Sequence, residues 1–402
     1  MKMTSARARS AVLACALSAS VAVGGAGPAA AGPAAAAGHP GRAEPVASPT
    51  PLLAYYYLWY DHKSWDRAKT DYPMIGRYSS GDASIMRRQI EEAKSAGIDG
   101  FIVSWKDTAS NDRRLRLLMS VASQQHFKLA LIYQGLNFFR RPLPVAEVAA
   151  DFSTFCDKYA SDPVFFRLGG KPLTIWSGTW AFSPAAVAQV TSAVRRKILV
   201  LSTEKSVPGF QRLASVTDGD AYYWSSVNPA TYPGYPAKLS RMSEAIHHDG
   251  KYWIAPFAPG FDARLVGGTK IVPRDSGQTL RDEYAAAVRS SPDVLGLISW
   301  NEFSENSYVE PSVRYRDQSL DVLRQLRGTS VPAPPSGPAA PSDNGGAGDT
   351  AAPAAGAWPS VLRASGFALA LIAGASGIGI ARRRRTRAGS AEFPPGARPE
   401  DN

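Results

Sequence analysis

Short apolar, β-branched runs alternate with longer amphipathic stretches through the middle of the chain. The runs have the length of buried strands, and the stretches between them have the i, i+3, i+4 spacing of helices. The candidate strands are Leu52–Trp59, Gly100–Trp105, Leu129–Tyr133, Leu173–Trp176, Ile198–Ser202, Ala221–Trp224, Tyr252–Phe257 and Leu295–Trp300. Candidate helices between and after them are Ser84–Ala96, Arg113–Gln125, Val145–Tyr159, Pro184–Val194, Leu239–His247, Thr279–Val288 and Gln318–Leu326.

This order of elements predicts an α/β fold of the (β/α)8 TIM-barrel type over residues 51–328. Eight strand–helix units in this length are the expected size and order of such a barrel. The alternative is an open doubly wound sheet, which usually carries a glycine-rich phosphate turn after its first strand. No such turn follows Tyr60, so we favour the barrel.

The N-terminal region differs in composition from this domain. Residues 1–32 combine early basic residues, an apolar run and small residues, which is typical of a secretory signal peptide, and residues 33–50 read as a disordered segment. Removal of Cys15 with the signal would leave Cys156 as the only cysteine, so no intramolecular disulfide is expected. Cys156 falls in a helical pattern and is interpreted as a packing residue.

The C-terminal region predicts a membrane anchor. Residues 329–360 are rich in Pro, Ala, Gly and Ser and read as a disordered linker. Residues 361–381 read as a membrane helix, in which the uncharged run Ala364–Ala381 is just long enough to cross a bilayer. The arginine block at the start of the 382–402 tail predicts that this tail is cytoplasmic. We therefore expect a single-pass protein of the cell membrane with its folded domain outside. The alternative is a segment that is discarded or lies on the membrane surface.

The charge distribution and the histidine spacing argue against nucleic-acid and metal ligands. The net charge of +11 comes partly from the two ends, and the basic residues of the middle form no stripe, so nucleic-acid binding is not expected. No HxH or HExxH spacing occurs among the histidines, which are His39, His62, His126, His247 and His248. The spacing therefore predicts that the protein binds no metal. We also expect no other cofactor, and we expect a monomer.

Aromatic and polar residues collect where the predicted strands end. In a barrel these ends share one rim, which is where such folds place their active sites. Exposed indole and phenol faces can stack on sugar rings, while carboxylates and amides bind sugar hydroxyls. A packing role in the core is the alternative for each aromatic. The candidate substrate-binding residues are Tyr57, Trp59, Tyr60, Trp105, Trp224, Asp262 and Asn301.

Two acids follow the last predicted strand and are the candidate catalytic residues. Glu302 and Glu305 are three positions apart, a spacing that places both side chains on one side of a helical turn or in one tight loop. Cleavage of a glycosidic bond usually needs two carboxyl groups, and close acids raise one another's pKa. The alternative is a strand-end glutamate that bonds loop amides, with a surface glutamate beyond it.

The segment Trp300–Pro311 resembles the last strand of glycoside hydrolase family 99, the endo-α-mannosidases and related barrels. That family has Trp-Asn-Glu-Trp-x-Glu-Gly followed by Glu-Pro, and Trp300, Asn301, Glu302, Glu305, Glu310 and Pro311 match it in order and spacing. Further similar segments are Tyr55–Tyr60, Ile98–Trp105 and Ala258–Asp262. In this chain Phe303 replaces the second Trp, Asn306 replaces the Gly, and His62 and Lys63 only loosely match a family His and Lys.

The resemblance implies a metal-independent, retaining endo-glycosidase that acts on α-mannosides or similar α-glycans. Glu305 would be the general acid/base, and Glu302 would take the proton of the sugar 2-hydroxyl as that oxygen attacks the anomeric carbon. Trp105 would pack against the sugar, and Asn301 would hold a hydroxyl. An α-1,3-glucanase-like hydrolase and a catalytically inactive glycan-binding barrel are the alternatives. A structural domain of the cell wall is a third.

Overall fold

The computed structural model describes residues 49–137 and 139–329. Eight parallel strands form its central sheet, and eight α-helices are spread along the same sequence. The strands are β1 Leu52–Tyr57, β2 Gly100–Trp105, β3 Lys128–Gln134, β4 Lys171–Ser177, β5 Leu199–Leu201, β6 Gly219–Ala221, β7 Tyr252–Phe257 and β8 Val294–Leu297. The helices are α1 Ala83–Ser95, α2 Ala109–Gln124, α3 Val145–Lys158, α4 Pro184–Val194, α5 Val207–Leu213, α6 Tyr235–His248, α7 Gln278–Arg289 and α8 Gln318–Arg327.

The parallel sheet closes into a barrel. Each strand pairs with the next along the chain from β1 to β5, and β6 pairs with β7, β7 with β8, and β8 with β1. A parallel bridge between Ser202 and Asp220 joins the ends of β5 and β6. The predicted (β/α)8 arrangement is therefore confirmed.

Side chains alternate between two cores. One core fills the barrel with residues such as Tyr55, Ile102 and Ile132, and the other lies between the strands and the helices. Because both faces of every strand are covered, most strand residues are apolar, and Asp220 in β6 is a buried charged exception. Two short antiparallel pairs stand outside the barrel: Phe261–Asp262 with Ile271–Val272, and Arg167–Leu168 with the start of β4.

Helix ends follow the expected local chemistry. The side chain of Asp82 accepts the backbone N–H of Ser84 at the start of α1, and Gly97 follows this helix with a left-handed φ of 75°. A Cβ at Gly97 would lie 2.9 Å from Cβ of Arg327, so the residue is also sterically required. Pro184 opens α4 after the capping residue Ser183, as predicted.

Several predicted elements differ from the observed ones near the rim, among them β1, which ends at Tyr57 instead of Trp59. Strand β6 covers Gly219–Ala221 instead of Ala221–Trp224, and β8 ends at Leu297 instead of Trp300. Helix α5 has only seven residues and contains Pro208 and Gly209, so it offers too little periodicity to be predicted.

Several predictions concern residues outside the described ranges. The signal peptide, most of the N-terminal segment, the linker, the membrane helix and the tail all lie there. Within residues 49–137 and 139–329, no helix combines the length and the apolar character needed to cross a membrane.

Candidate active site

The chain after β8 forms a compact loop that carries both candidate catalytic glutamates. The N–H of Ser299 donates to the carbonyl of Ser307 at 2.7 Å, and the N–H of Glu310 donates to the carbonyl of Trp300 at 2.9 Å. These bonds bring the two ends of the loop together. The loop therefore projects Glu302 and Glu305 from the carboxyl end of the barrel.

Asn301 fixes this loop to β1. Its Oδ1 accepts the N–H of Tyr57 at 2.9 Å, and its Nδ2 donates to the carbonyl of Tyr57 at 3.1 Å and to the hydroxyl of Tyr78 at 3.2 Å. The side chain is fully buried. These bonds use both Nδ2 hydrogens and one lone pair of Oδ1, and the predicted contact of Asn301 with a substrate hydroxyl stays a prediction. Asn301 positions the loop by continuing the pairing of β8 with β1.

Tyr60 also belongs to the support of the loop and lies below the surface. Its hydroxyl donates to the carbonyl of Asn301 at 2.7 Å and accepts the N–H of Phe303 at 3.3 Å. Its ring stacks on Trp65 with centroids 4.6 Å apart, and only 2% of the residue is exposed. The contacts that the structure shows for Tyr60 are thus with the loop and with Trp65, and its predicted contact with a substrate stays a prediction.

A buried acid completes this support. Glu310 accepts hydrogen bonds from the Tyr78 hydroxyl at 2.9 Å and from Nε2 of Gln89 at 2.7 Å. Gln89 in turn accepts the hydroxyl of Tyr56 at 2.6 Å. Burial raises the pKa of Glu310 to about 8. We name Asn301, Tyr60, Tyr78, Gln89 and Glu310 the buried framework.

The two candidate catalytic carboxyls interact electrostatically. Burial, followed by the charge of Glu305, raises the pKa of Glu302 to about 8, and the Ser304 amide and the Lys69 ammonium oppose the rise. Burial also raises the pKa of Glu305, against the charge of Arg140. Two acids that interact in this way titrate as a pair. Lys69, and not Lys63, is the lysine that acts on Glu302.

Two tyrosines face the carboxyls. The hydroxyls of Tyr57 and Tyr223 share a hydrogen bond. Burial raises the pKa of both phenols, and the charges of Glu302 and Glu305 raise it further. Both hydroxyls therefore stay protonated and available to a bound sugar. Tyr57 is where the sequence predicted it, whereas Tyr223 was not among the candidate site residues.

The two exposed tryptophans of the prediction lie on the rim. Trp59 is 39% exposed and stacks on Tyr57 with centroids 4.3 Å apart. Trp224 is 36% exposed and directly follows Tyr223. Both are therefore accessible from the side on which the carboxyls lie.

Trp105 and Asp262 contact other parts of the chain, and their predicted contacts with a substrate stay predictions. Trp105 is 2% exposed and packs outside the barrel against Phe155 and Tyr159, with centroids 6.3 Å away in each case. The carboxylate of Asp262 is engaged by the guanidinium of Arg264 at 2.6 Å, which holds its pKa below the usual value. The backbone N–H of Asp262 donates to the carbonyl of Glu305 at 2.7 Å. Asp262 thus supports the Glu305 turn.

Metal-binding groups are not gathered in the described part of the chain. No cluster of three or more His, Cys, Asp or Glu side chains occurs within residues 49–137 and 139–329. The groups that converge on the site are carboxyls, phenols, a lysine and an arginine. Such a set suits proton transfer and hydrogen bonding to hydroxyls.

The sequence model of glycosyl hydrolase family 99 matches residues 60–326. The protein belongs to this family. The chain is 20% identical over 280 residues to the glycoprotein endo-α-1,2-mannosidase of Rattus norvegicus. This alignment covers 64% of this chain and 60% of the rat protein. It is 22% identical over 249 residues to a mutanase of Penicillium rubens, covering 59% of this chain and 52% of the mutanase. The chain thus spans only about 60% of the length of the rodent enzyme.

A solved structure shows the same fold. The family 99 endo-α-mannosidase of Bacteroides thetaiotaomicron superposes with a TM-score of 0.60 at 21% identity, over 69% of this chain and 98% of that one. At this identity the likeness concerns the fold.

The two departures from the family 99 motif have structural explanations. Phe303 is fully buried and stacks on Tyr308 with centroids 3.9 Å apart, so it belongs to the packing below the site. Asn306 has a left-handed φ of 51°. Asparagine tolerates this conformation better than other non-glycine residues, which explains how it can stand where the motif has Gly. Neither change removes a carboxyl from the site.

Proposed function

We propose that this family 99 protein is a retaining, endo-acting glycoside hydrolase that cleaves α-mannosidic or similar α-glycosidic linkages. The observation that carries the proposal is the pair of mutually interacting carboxyls, Glu302 and Glu305, beside the Tyr57 and Tyr223 hydroxyls at the carboxyl end of the barrel. The family membership and the similarity to the rodent enzyme support the α-mannoside.

The two roles are those that the resemblance to family 99 implies, with Glu305 protonated and Glu302 ionised before the reaction. Glu305 donates to the glycosidic oxygen as the bond to the anomeric carbon breaks, and later takes a proton from the attacking water. Glu302 accepts the proton of the 2-hydroxyl as that oxygen bonds to the anomeric carbon, and returns the proton to the oxygen when water attacks the anomeric carbon and opens the ring. The burial of both acids favours this exchange because their pKa values lie closer to neutrality than in water.

Replacement of Glu305 by Gln tests the catalytic role. We expect kcat to fall at least about 100-fold on α-mannan, measured as released reducing ends, because the general acid is lost. Glu91→Gln, which removes an exposed acid from α1, is the matched control. Unchanged turnover in Glu305→Gln would refute the catalytic role, and binding without product in the unsubstituted protein would identify an inactive glycan-binding barrel.

A second substrate has support from one comparison. The similarity to a protein named as a mutanase favours the α-1,3-glucanase-like alternative. Parallel digestion of α-1,3-glucan and α-mannan separates the two, and proton NMR of the first product gives the anomeric configuration. Formation of the α-anomer supports retention, and the β-anomer would contradict it.

We further propose that the enzyme is anchored at the cell surface by residues 361–381, because an uncharged run there precedes four arginines. The test is fractionation of cells that express the full chain or residues 1–357. We expect the full chain in the membrane fraction and the shorter form in the medium. Equal release of both would refute the anchor.

A further inference from the structure

A lysine lies between two tryptophans on the rim. The ammonium of Lys205 is 4.5 Å from the ring centroid of Trp180 and 4.7 Å from that of Trp224. The three residues follow the neighbouring strands β4, β5 and β6, so they stand side by side at the end of the barrel that carries Glu302. Contacts with two indole faces already restrict the side chain of Lys205. Less conformational entropy is therefore lost when a ligand binds its ammonium.

Lys205 forms no ion pair with an acid within residues 49–137 and 139–329. The charges of Lys205 and the adjacent Glu204 interact, but Glu204 is buried and is bonded to Arg212 at 3.2 Å. Lys238 lies close enough for its charge to interact with that of Lys205, and Arg140 acts on Tyr223 from the loop after β3. This side of the rim therefore presents an excess of positive charge together with exposed aromatic surface.

We propose that Trp180, Lys205 and Trp224 form a subsite for an anionic sugar unit of the glycan substrate, one that carries a carboxylate or a phosphate. The indoles contact the C–H face of the sugar, and the fixed ammonium binds the anion by a charge-assisted hydrogen bond. The inference rests on the proposed glycosidase function and narrows its substrate class to acidic α-glycans.

The subsite serves a sugar other than the one that is cleaved. Strand β6 is two strands from β8, a distance of ~10 Å along the sheet at the usual strand spacing. Trp224 directly follows Tyr223, and the phenol of Tyr223 interacts electrostatically with both catalytic carboxyls. The subsite therefore lies next to the catalytic site along the rim. Recognition at this subsite selects the glycan without changing the chemistry at Glu302 and Glu305.

Calorimetric titration of the full-length Glu305→Gln protein tests the subsite without cleavage. The probes are an α-linked mannotriose, the same trisaccharide with a terminal uronate, and the same trisaccharide with a terminal phosphate. We expect at least one anionic probe to bind about tenfold more tightly than the neutral one at low salt, equivalent to ~1.4 kcal/mol. Added Lys205→Gln should remove this preference, and salt should weaken it.

Lys197→Gln is the control, because it removes the same charge from an exposed site just before β5, at the opposite end of the barrel. Trp224→Ala should weaken all three probes. Equal affinity for neutral and anionic probes, or a preference that survives Lys205→Gln, overturns the subsite while the glycosidase proposal stands. If no probe binds and the unsubstituted protein releases no product from any α-glycan, the proposed function and the subsite both fail.

Discussion

The rim of this barrel has two regions that differ in how they are built. Around β8 and β1, the buried framework satisfies its polar groups internally, as in the three hydrogen bonds of Asn301. Around β4 to β6, the side chains of Lys205 and Trp224 are exposed and bind each other only by a cation–π contact. The first region fixes the position of Glu302 and Glu305, whereas the second exposes its side chains to solvent.

This difference separates stability from specificity. A buried polar network is costly to disturb because each unmet donor or acceptor keeps its desolvation cost. An exposed aromatic or lysine can be replaced with little loss of stability. Substitutions in the two regions should therefore affect different measured quantities.

Asn301→Ala should have the largest effect of the three substitutions that test this contrast. It leaves the N–H and carbonyl of Tyr57 without their partner, so we expect a loss of roughly 3 kcal/mol or more in the free energy of unfolding by urea. Activity should fall as well, because the loop that carries Glu302 loses its tie to β1. If the variant keeps its stability but no longer binds glycan, the result would support the predicted contact between Asn301 and the substrate.

The sequence was sufficient for the barrel and for the position of the two acids, but not for the direction of individual side chains. Most strand positions are apolar on both faces, so the alternation alone does not tell which face is inside. Trp105 follows Ser104 by one position and therefore lies on the outer face with Val103. Tyr223 lies two positions after Ala221 and shares its inner face, a signal that the predicted strand Ala221–Trp224 already contained.

The hydrogen bonds of Asn301, Tyr60 and Asp262 could not be predicted for a different reason. Those of Asn301 and Tyr60, and the backbone bond of Asp262 to Glu305, join residues far apart in sequence and depend on the height of the loop above the sheet, whereas the bond of the Asp262 carboxylate to Arg264 is local. A polar residue in a motif is equally compatible with substrate binding and with support of the loop. Only the count of satisfied donors and acceptors separates the two.

Glu310→Gln should change the pH dependence of stability. Burial raises the pKa of Glu310 in the folded state to about 8, so its contribution to stability is present at low pH and is lost as the pH rises through that value. We expect the free energy of unfolding of the unsubstituted protein to fall between about pH 5 and pH 8. In Glu310→Gln this decrease in the free energy of unfolding should be smaller by about 1–3 kcal/mol. In the control Glu91→Gln the decrease should be as large as in the unsubstituted protein. Identical slopes in all three proteins would contradict the neutral, buried state of Glu310.

Trp59→Ala should have the smallest effect on stability, because 39% of this side chain is exposed and its main contact is the stack on Tyr57. We expect the free energy of unfolding to change by no more than about 1 kcal/mol. KM on the preferred glycan should rise roughly threefold to tenfold with kcat unchanged, since the loss of a face that contacts substrate and transition state equally removes uniform binding. Trp59→Phe, which keeps an aromatic face, should recover most of the affinity. If kcat falls in Trp59→Ala and recovers in Trp59→Phe, the stack holds Tyr57 against the carboxyls, and Trp59 belongs with the buried framework despite its exposure.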